Sequence, residues 1–142
     1  MNRRKKSLGF TLIEMLVVVA IIGILAGIIV VKIANKPDEA RVVRAKQDIA
    51  SLQTALDLYK LDNGTYPTTE QGLDALVTQP SDPPMPPNWH AYLSKIPTDP
   101  WNRPYLYQNP GEHGDIDIYT YGPTGQAGGK GTNATIGNWS TN

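Results

Sequence analysis

The chain has no cysteine among its 142 residues. That excludes a disulfide framework and any zinc site built on thiolates. Histidine is almost absent: His90 and His113 both sit in loop-like sequence, and neither has a second histidine at metal-ligand spacing. Formal net charge is zero, so the basic stripe of a nucleic-acid-binding domain is missing and no nucleic-acid partner is expected. Acidic side chains stop at Asp117, leaving residues 118–142 without any. Proline is missing before Pro37, and glycine between Asp38 and Leu61. Most of the Gly and Pro lie beyond Leu61, which predicts a C-terminal half of turns and short elements. The Gly-rich run Gly122–Gly131 lacks the phosphate-loop pattern, because Lys130 is followed by Gly131 rather than Ser or Thr. Asp115 and Asp117, two apart on an expected strand, read as a solvated face rather than paired acids. No nucleophile, base or metal constellation remains, and an enzyme is not expected. Three Asn-x-Ser/Thr triplets begin at Asn63, Asn133 and Asn138 and are treated as chance matches.

What is present is a long apolar run. Phe10 to Val31 spans 22 residues with Glu14 as its one charge, and Arg3, Arg4, Lys5 and Lys6 precede it. As a helix it reaches about 33 Å, enough for a hydrocarbon core of roughly 30 Å. The basic residues should stay on the cytoplasmic side. A secretory signal peptide has a shorter apolar region and a small-x-small site after it; neither fits. A plain anchor fits the length and leaves Glu14 unexplained, since a carboxylate there costs about 2.5–3.5 kcal/mol on insertion scales.

Lys6-Ser7-Leu8-Gly9-Phe10-Thr11-Leu12-Ile13-Glu14 resembles the processing site of type IV prepilins and type II secretion pseudopilins. The resemblance implies that a membrane prepilin peptidase cuts between Gly9 and Phe10 and methylates the new N-terminal Phe10. It also implies that Glu14 is the assembly carboxylate. The physics agrees with that role. A charged amino group at Phe10 and a carboxylate at Glu14 are each less costly in an apolar setting when the other is near. Between staggered helices such a pair would fix the axial step of a polymer, serving register more than stability.

Val42, Ala45, Ile49, Leu52, Leu56 and Tyr59 follow at steps of three or four, one apolar stripe on a helix. We expect one long helix from about Phe10 to Leu61, with Pro37 at a helix start or a kink and Asn63-Gly64 as the stop. Thr68–Val77 reads as a short helix capped by Thr68 or Thr69. Gln79–Asn88, with five prolines, must be an extended loop. Tyr105–Gln108 and Ile116–Tyr121 read as a hairpin, and Ala134–Trp139 as a last short strand.

These head segments carry a second resemblance. Leu58–Pro67, Glu70–Leu73, Pro97–Asn102 with Tyr105, and Ile136–Trp139 are similar, in this order, to the major pseudopilins of type II secretion systems, over nearly the whole chain. It implies an α+β, type IV pilin-like fold: one long N-terminal helix packed on a small antiparallel β-sheet head. The expected parts are a cleaved leader (1–9), a transmembrane and polymerisation half-helix (10–36) and a periplasmic head (37–142). The implied function is a structural subunit of a periplasmic pseudopilus, anchored in the inner membrane by a single pass, that drives folded proteins through an outer-membrane secretin. The implied partners are further copies of the chain, minor pseudopilins, the prepilin peptidase and an inner-membrane assembly platform.

Two departures from the family stand out. Relatives often carry a proline late in the apolar helix, where Val31 stands here. They also hold calcium in the loop after the second strand, using aspartates. Here Thr124 and Thr135 replace those aspartates and Lys130 lies between them. Calcium favours six to eight oxygens, with charged ligands tuning its affinity, so its binding is expected to be lost or very weak. Hydrogen bonds from Thr124, Thr132, Asn133 and Thr135, and packing of Trp139, would then hold the loop. If calcium were bound, its ligands would be the Tyr121 carbonyl, Thr124, Thr132, Asn133 and Thr135. Two other readings compete: an adhesive or motility pilin, which usually closes a C-terminal loop with a disulfide, and a tethered carbohydrate-binding module using Trp89, Trp101 and Trp139.

Overall fold

The computed structural model describes residues 8–34 and 36–140, with backbone alone for 28–34 and 36. The basic residues Arg3–Lys6 lie outside the described residues. The chain divides into two units, residues 1–37 and 38–142.

The first unit is helix α1 (Leu12–Ala34), 23 residues and so about 34 Å long. The second helix, α2 (Lys36–Asn63), is recorded separately. Both helices lie within the span Phe10–Leu61 or run at most two residues past it, and Asn35 between them is outside the described residues. Asp38 and Glu39 lie in the first turn of α2 and Lys60 in its last, the polarity a helix dipole favours. The helix stops where expected: Gly64 takes φ +86° and donates its N–H to the Lys60 carbonyl at 2.7 Å. That left-handed step is one glycine makes without a Cβ penalty.

In the second unit the stripe of α2 forms the core. Ala45, Ile49, Leu52, Leu56 and Tyr59 are buried, joined by Ala55, Leu73, Leu76, Tyr105, Ile116, Ile118 and Ile136; Val42 is half-buried against them. Each fully covered Leu or Ile contributes about 1.5–3 kcal/mol. The sheet is three-stranded and antiparallel in the order β1 (Leu106–Gln108), β2 (Asp117–Thr120), β3 (Ile136–Gly137). Leu106 pairs with Tyr119 and Thr120 with Ile136. Two polar bonds tie the sheet side to α2. The Tyr105 hydroxyl donates to the Asp48 carboxylate at 2.7 Å, and the Asn138 amide donates to the Gln53 carbonyl oxygen at 2.9 Å.

Thr68–Val77 begins as a helix would and does not continue as one. The Gln71 N–H donates to the Thr68 hydroxyl, and the Thr68 N–H donates to the Gln71 side-chain oxygen, a capping box. A turn follows, then four residues of 3₁₀ helix, Leu73–Leu76. The Gln71 amide is engaged in the proline loop, donating to the carbonyls of Asp82 and Pro84.

One expectation for the sheet is overturned. Asp115 lies ahead of β2 with its side chain 81% exposed, whereas Asp117 is only 2% exposed. Asp117 is buried because its carboxylate closes the β1–β2 connection: it accepts the N–H groups of Glu112 and His113 and faces His113 Nδ1 at 2.8 Å.

Candidate functional site

Two places carry the residues singled out by sequence: the start of α1 and the loop between β2 and β3. From Gly9 to Gly27 every residue is exposed. Phe10 is 80% and Leu12 82% accessible. Glu14 is exposed and shares a shallow surface hollow with the apolar side chains of Phe10, Ile13, Met15, Val17 and Val18. Among the described residues no helix is long and apolar enough to cross a membrane; the side chains of α1 are described to Gly27, and its backbone continues as helix to Ala34.

Glu14 has a partner that sequence reasoning missed. Its carboxylate accepts the Thr11 N–H at 2.9 Å, and its own N–H donates to the Thr11 hydroxyl at 3.3 Å. This capping box satisfies two of the N–H groups that a helix start leaves open. The signal was legible: Thr11-x-x-Glu14 spells the motif before an apolar run. A Cβ at Gly9 would meet nothing within 4 Å. The fold of this chain therefore makes no demand for glycine there.

The β2–β3 loop folds back on itself. Gly122–Thr124 and Gly131–Asn133 are single 3₁₀ turns. Gly122 takes φ +74°, and a Cβ there would approach the Ala134 carbonyl to 3.2 Å. A side chain at Gly129 would overlap the Asn133 carbonyl. Thr124 bonds only locally, its hydroxyl meeting the N–H and the carbonyl of Gln126 at 3.3 Å. The side-chain bonds expected of Thr132, Asn133 and Thr135 are not formed among the described residues; the Asn133 N–H donates to the Lys130 carbonyl instead.

The loop is held by a residue from elsewhere. The Arg103 guanidinium donates through Nη2 to the Gly122 carbonyl. It also fills the space beside Gly125, where a Cβ would lie 2.5 Å from Nη1. Beneath it Asp99, 1% exposed, accepts the N–H groups of Trp101 and Arg103 and the Thr120 hydroxyl at 2.6 Å. Arg103 Nε stands 3.9 Å from that carboxylate. Nothing in the local sequence marks Arg103, since its target is nineteen residues away.

All three tryptophans are half-buried. Trp89 donates its indole N–H to the Ala75 carbonyl at 2.7 Å, and Trp89 and Trp101 pack against the core. Trp139 stacks on His113 with ring centroids 3.7 Å apart, so the loop reading of His113 understated its part in packing. Among the described residues no three His, Cys, Asp or Glu come together to hold a metal.

An exposed apolar N-terminal helix, followed by a helix whose buried stripe backs a small antiparallel sheet, is the α+β architecture of a pilin-like subunit. Known proteins resolve the class further. Residues 32–139 match the family model "Type II secretion system (T2SS), protein G", and residues 4–30 match the prokaryotic N-terminal methylation motif. The type II secretion system core protein G of Pseudomonas aeruginosa is 52% identical over 141 residues, 98% of this chain and 99% of that one. That of Vibrio cholerae is 49% identical, with 98% and 96% covered. The crystal structure of the major pseudopilin from the type 2 secretion system of enterohaemorrhagic Escherichia coli aligns with TM-score 0.67 and 41% identity, covering 75% of this chain and 93% of that one. The chain belongs to the type II secretion system protein G family.

Proposed function

We infer that this protein is a structural subunit of a type II secretion pseudopilus, polymerising through α1 in the inner membrane and periplasm. The observation that carries the reading is the unpartnered apolar surface of Phe10–Gly27. Phe10, Leu12, Ile13, Leu16, Val19, Ile22 and Ile24 are each at least 60% exposed. Leaving such side chains in water costs about 1.5–3 kcal/mol apiece, so lipid or other copies of the helix must cover them. The family membership supplies the assembly.

The finer parts follow from the residues. The basic leader stays cytoplasmic and the head lies in the periplasm, as the positive-inside rule requires of a single pass. The prepilin peptidase cuts between Gly9 and Phe10 and methylates Phe10. In the uncut chain Glu14 is satisfied by its own Thr11 N–H. After the cut a positively charged nitrogen stands at Phe10, and the carboxylate of a neighbouring copy's Glu14 pairs with it, setting the stagger. Minor pseudopilins and an inner-membrane platform complete the assembly, and the chain itself does no catalysis. Deleting the gene and restoring it in the host tests the reading. Secretion should be lost and regained, and co-expression with an assembly machinery should give periplasmic fibres. Unchanged secretion after deletion, with no fibres on co-expression, would sink it.

A further inference from the structure

The β2–β3 loop fails as a calcium seat on the chemistry of its donors. Tyr121, Thr124, Thr132, Asn133 and Thr135 offer carbonyls, hydroxyls and an amide, with no carboxylate, and Ca²⁺ affinity depends on charged oxygens. The Gly122 carbonyl in its first turn already accepts from a cation. We propose that Arg103 is the built-in cation of this loop, taking the structural role that calcium has in the family, so that the head holds its C-terminal loop without a divalent ion.

Three observations carry this independently of the pseudopilus reading. First, the guanidinium reaches the loop at a fixed point: its N–H donates to Gly122, whose φ of +74° turns the chain at that residue. Second, Gly125, at φ +68°, leaves open the space beside it that the guanidinium fills. Third, the arginine is positioned from below. Asp99 binds the Arg103 backbone N–H at 2.8 Å and lies near its Nε, and the Thr120 hydroxyl at the end of β2 fixes Asp99 in turn. One buried carboxylate thus orients one cation, which grips the loop following the same strand. A planar guanidinium, always charged and with its donors in a rigid fork, suits that bridging role better than an ammonium. With a positive group already in the loop, a divalent cation would meet repulsion as well as a poor donor set.

The test uses the full mature chain in detergent, melted in chelator and in millimolar Ca²⁺. The wild type should melt at the same temperature in both. Arg103→Ala should melt several degrees lower in both, and Arg103→Lys should recover part of the loss. The triple variant Arg103→Ala, Thr124→Asp, Thr135→Asp should melt low in chelator and be raised by Ca²⁺, because a ligand bound only by the folded state stabilises it. A wild-type melt raised by several degrees with Ca²⁺ would overturn the proposal. So would an Arg103→Ala variant that melts like the wild type, or a triple variant indifferent to calcium.

Discussion

The two units treat apolar side chains in opposite ways. From Gly9 to Gly27 every residue faces outward, although most are Leu, Ile, Val or Met. Between Asp38 and Ser140 the chain is far more polar, yet Ile49, Leu52, Leu56, Leu76 and Ile118 are wholly withdrawn from solvent. Mean hydropathy therefore ranks the two wrongly for burial. A helix that is apolar all round has no face to turn to its own chain and must find lipid or other helices. A helix with a single stripe can be satisfied by a few short strands. The difference separates two kinds of stability: the head is stabilised by its own contacts, the first unit by its surroundings and by other copies.

Changes in the first unit should therefore act on processing and assembly, and changes in the second on folding. The largest effect is expected at Gly9. The mature chain should begin at Phe10, Gly9→Val should abolish the cut, and Gly9→Ala should retain more of it, as read by intact mass of the membrane fraction. Since the fold makes no demand at Gly9, a loss of head stability in either variant would break the comparison.

Glu14→Ala should still insert and be cut, and should form few fibres. Thr11→Ala removes the cap, worth about 0.5–2 kcal/mol, and keeps the carboxylate, so its fibre yield should stay close to normal. Equal loss in both variants, counted by microscopy, would move the role of Glu14 from pairing between subunits to capping.

In the head, Leu56→Ala should cost about 2–5 kcal/mol of stability, the usual range for emptying a buried leucine site. Leu25→Ala, at a residue 54% exposed, should barely shift the same denaturant curve. Cleavage should be normal in both, and a defect in cutting for Leu56→Ala would show that the units are coupled.

The smallest effect is alkaline. Burial, then the hydrogen bond to Asp57, pushes the Tyr66 hydroxyl up to about 12, and burial with Asp62 does the same for Tyr92. The folded head holds these protons more tightly than the unfolded chain does. The stabilisation is complete below pH 10 and is lost as the pH rises from 10 to 12. Tyr66→Phe should flatten part of that decline in melts taken across the range. An unchanged slope would mean that neither the burial of Tyr66 nor its bond to Asp57 holds the proton in solution.

Much of this was legible beforehand because it is local. The stripe from Val42 to Tyr59 repeats at helical spacing and is the observed core line. Asn63-Gly64 stops α2 where a left-handed residue is needed. The hairpin strands were placed within a residue or two, since alternation and turn residues mark them. Thr11-x-x-Glu14 is equally legible as a cap, but reading Glu14 only as a partner of Phe10 hides it; Thr68 reads as a cap from sequence, and the structure adds the return bond of Gln71. Alternation misplaces Asp117, since it assigns a face without saying what a preceding turn will do with it. Here the turn needs an acceptor for two N–H groups, and a buried carboxylate supplies it.

The sequence alone determined the apolar helix with its one carboxylate, the match of residues 4–30 to the N-terminal methylation motif, the absence of disulfides and the lack of carboxylates beyond Asp117. Each is a matter of which residues stand within one or two turns of each other. Tertiary structure alone decided that Asp48 meets Tyr105, that Gln53 meets Asn138 and that Arg103 reaches Gly122 from nineteen residues away. Such pairings depend on strand register and on how loops close over the core, and these are set by the packing of the whole head rather than by any local run of residues.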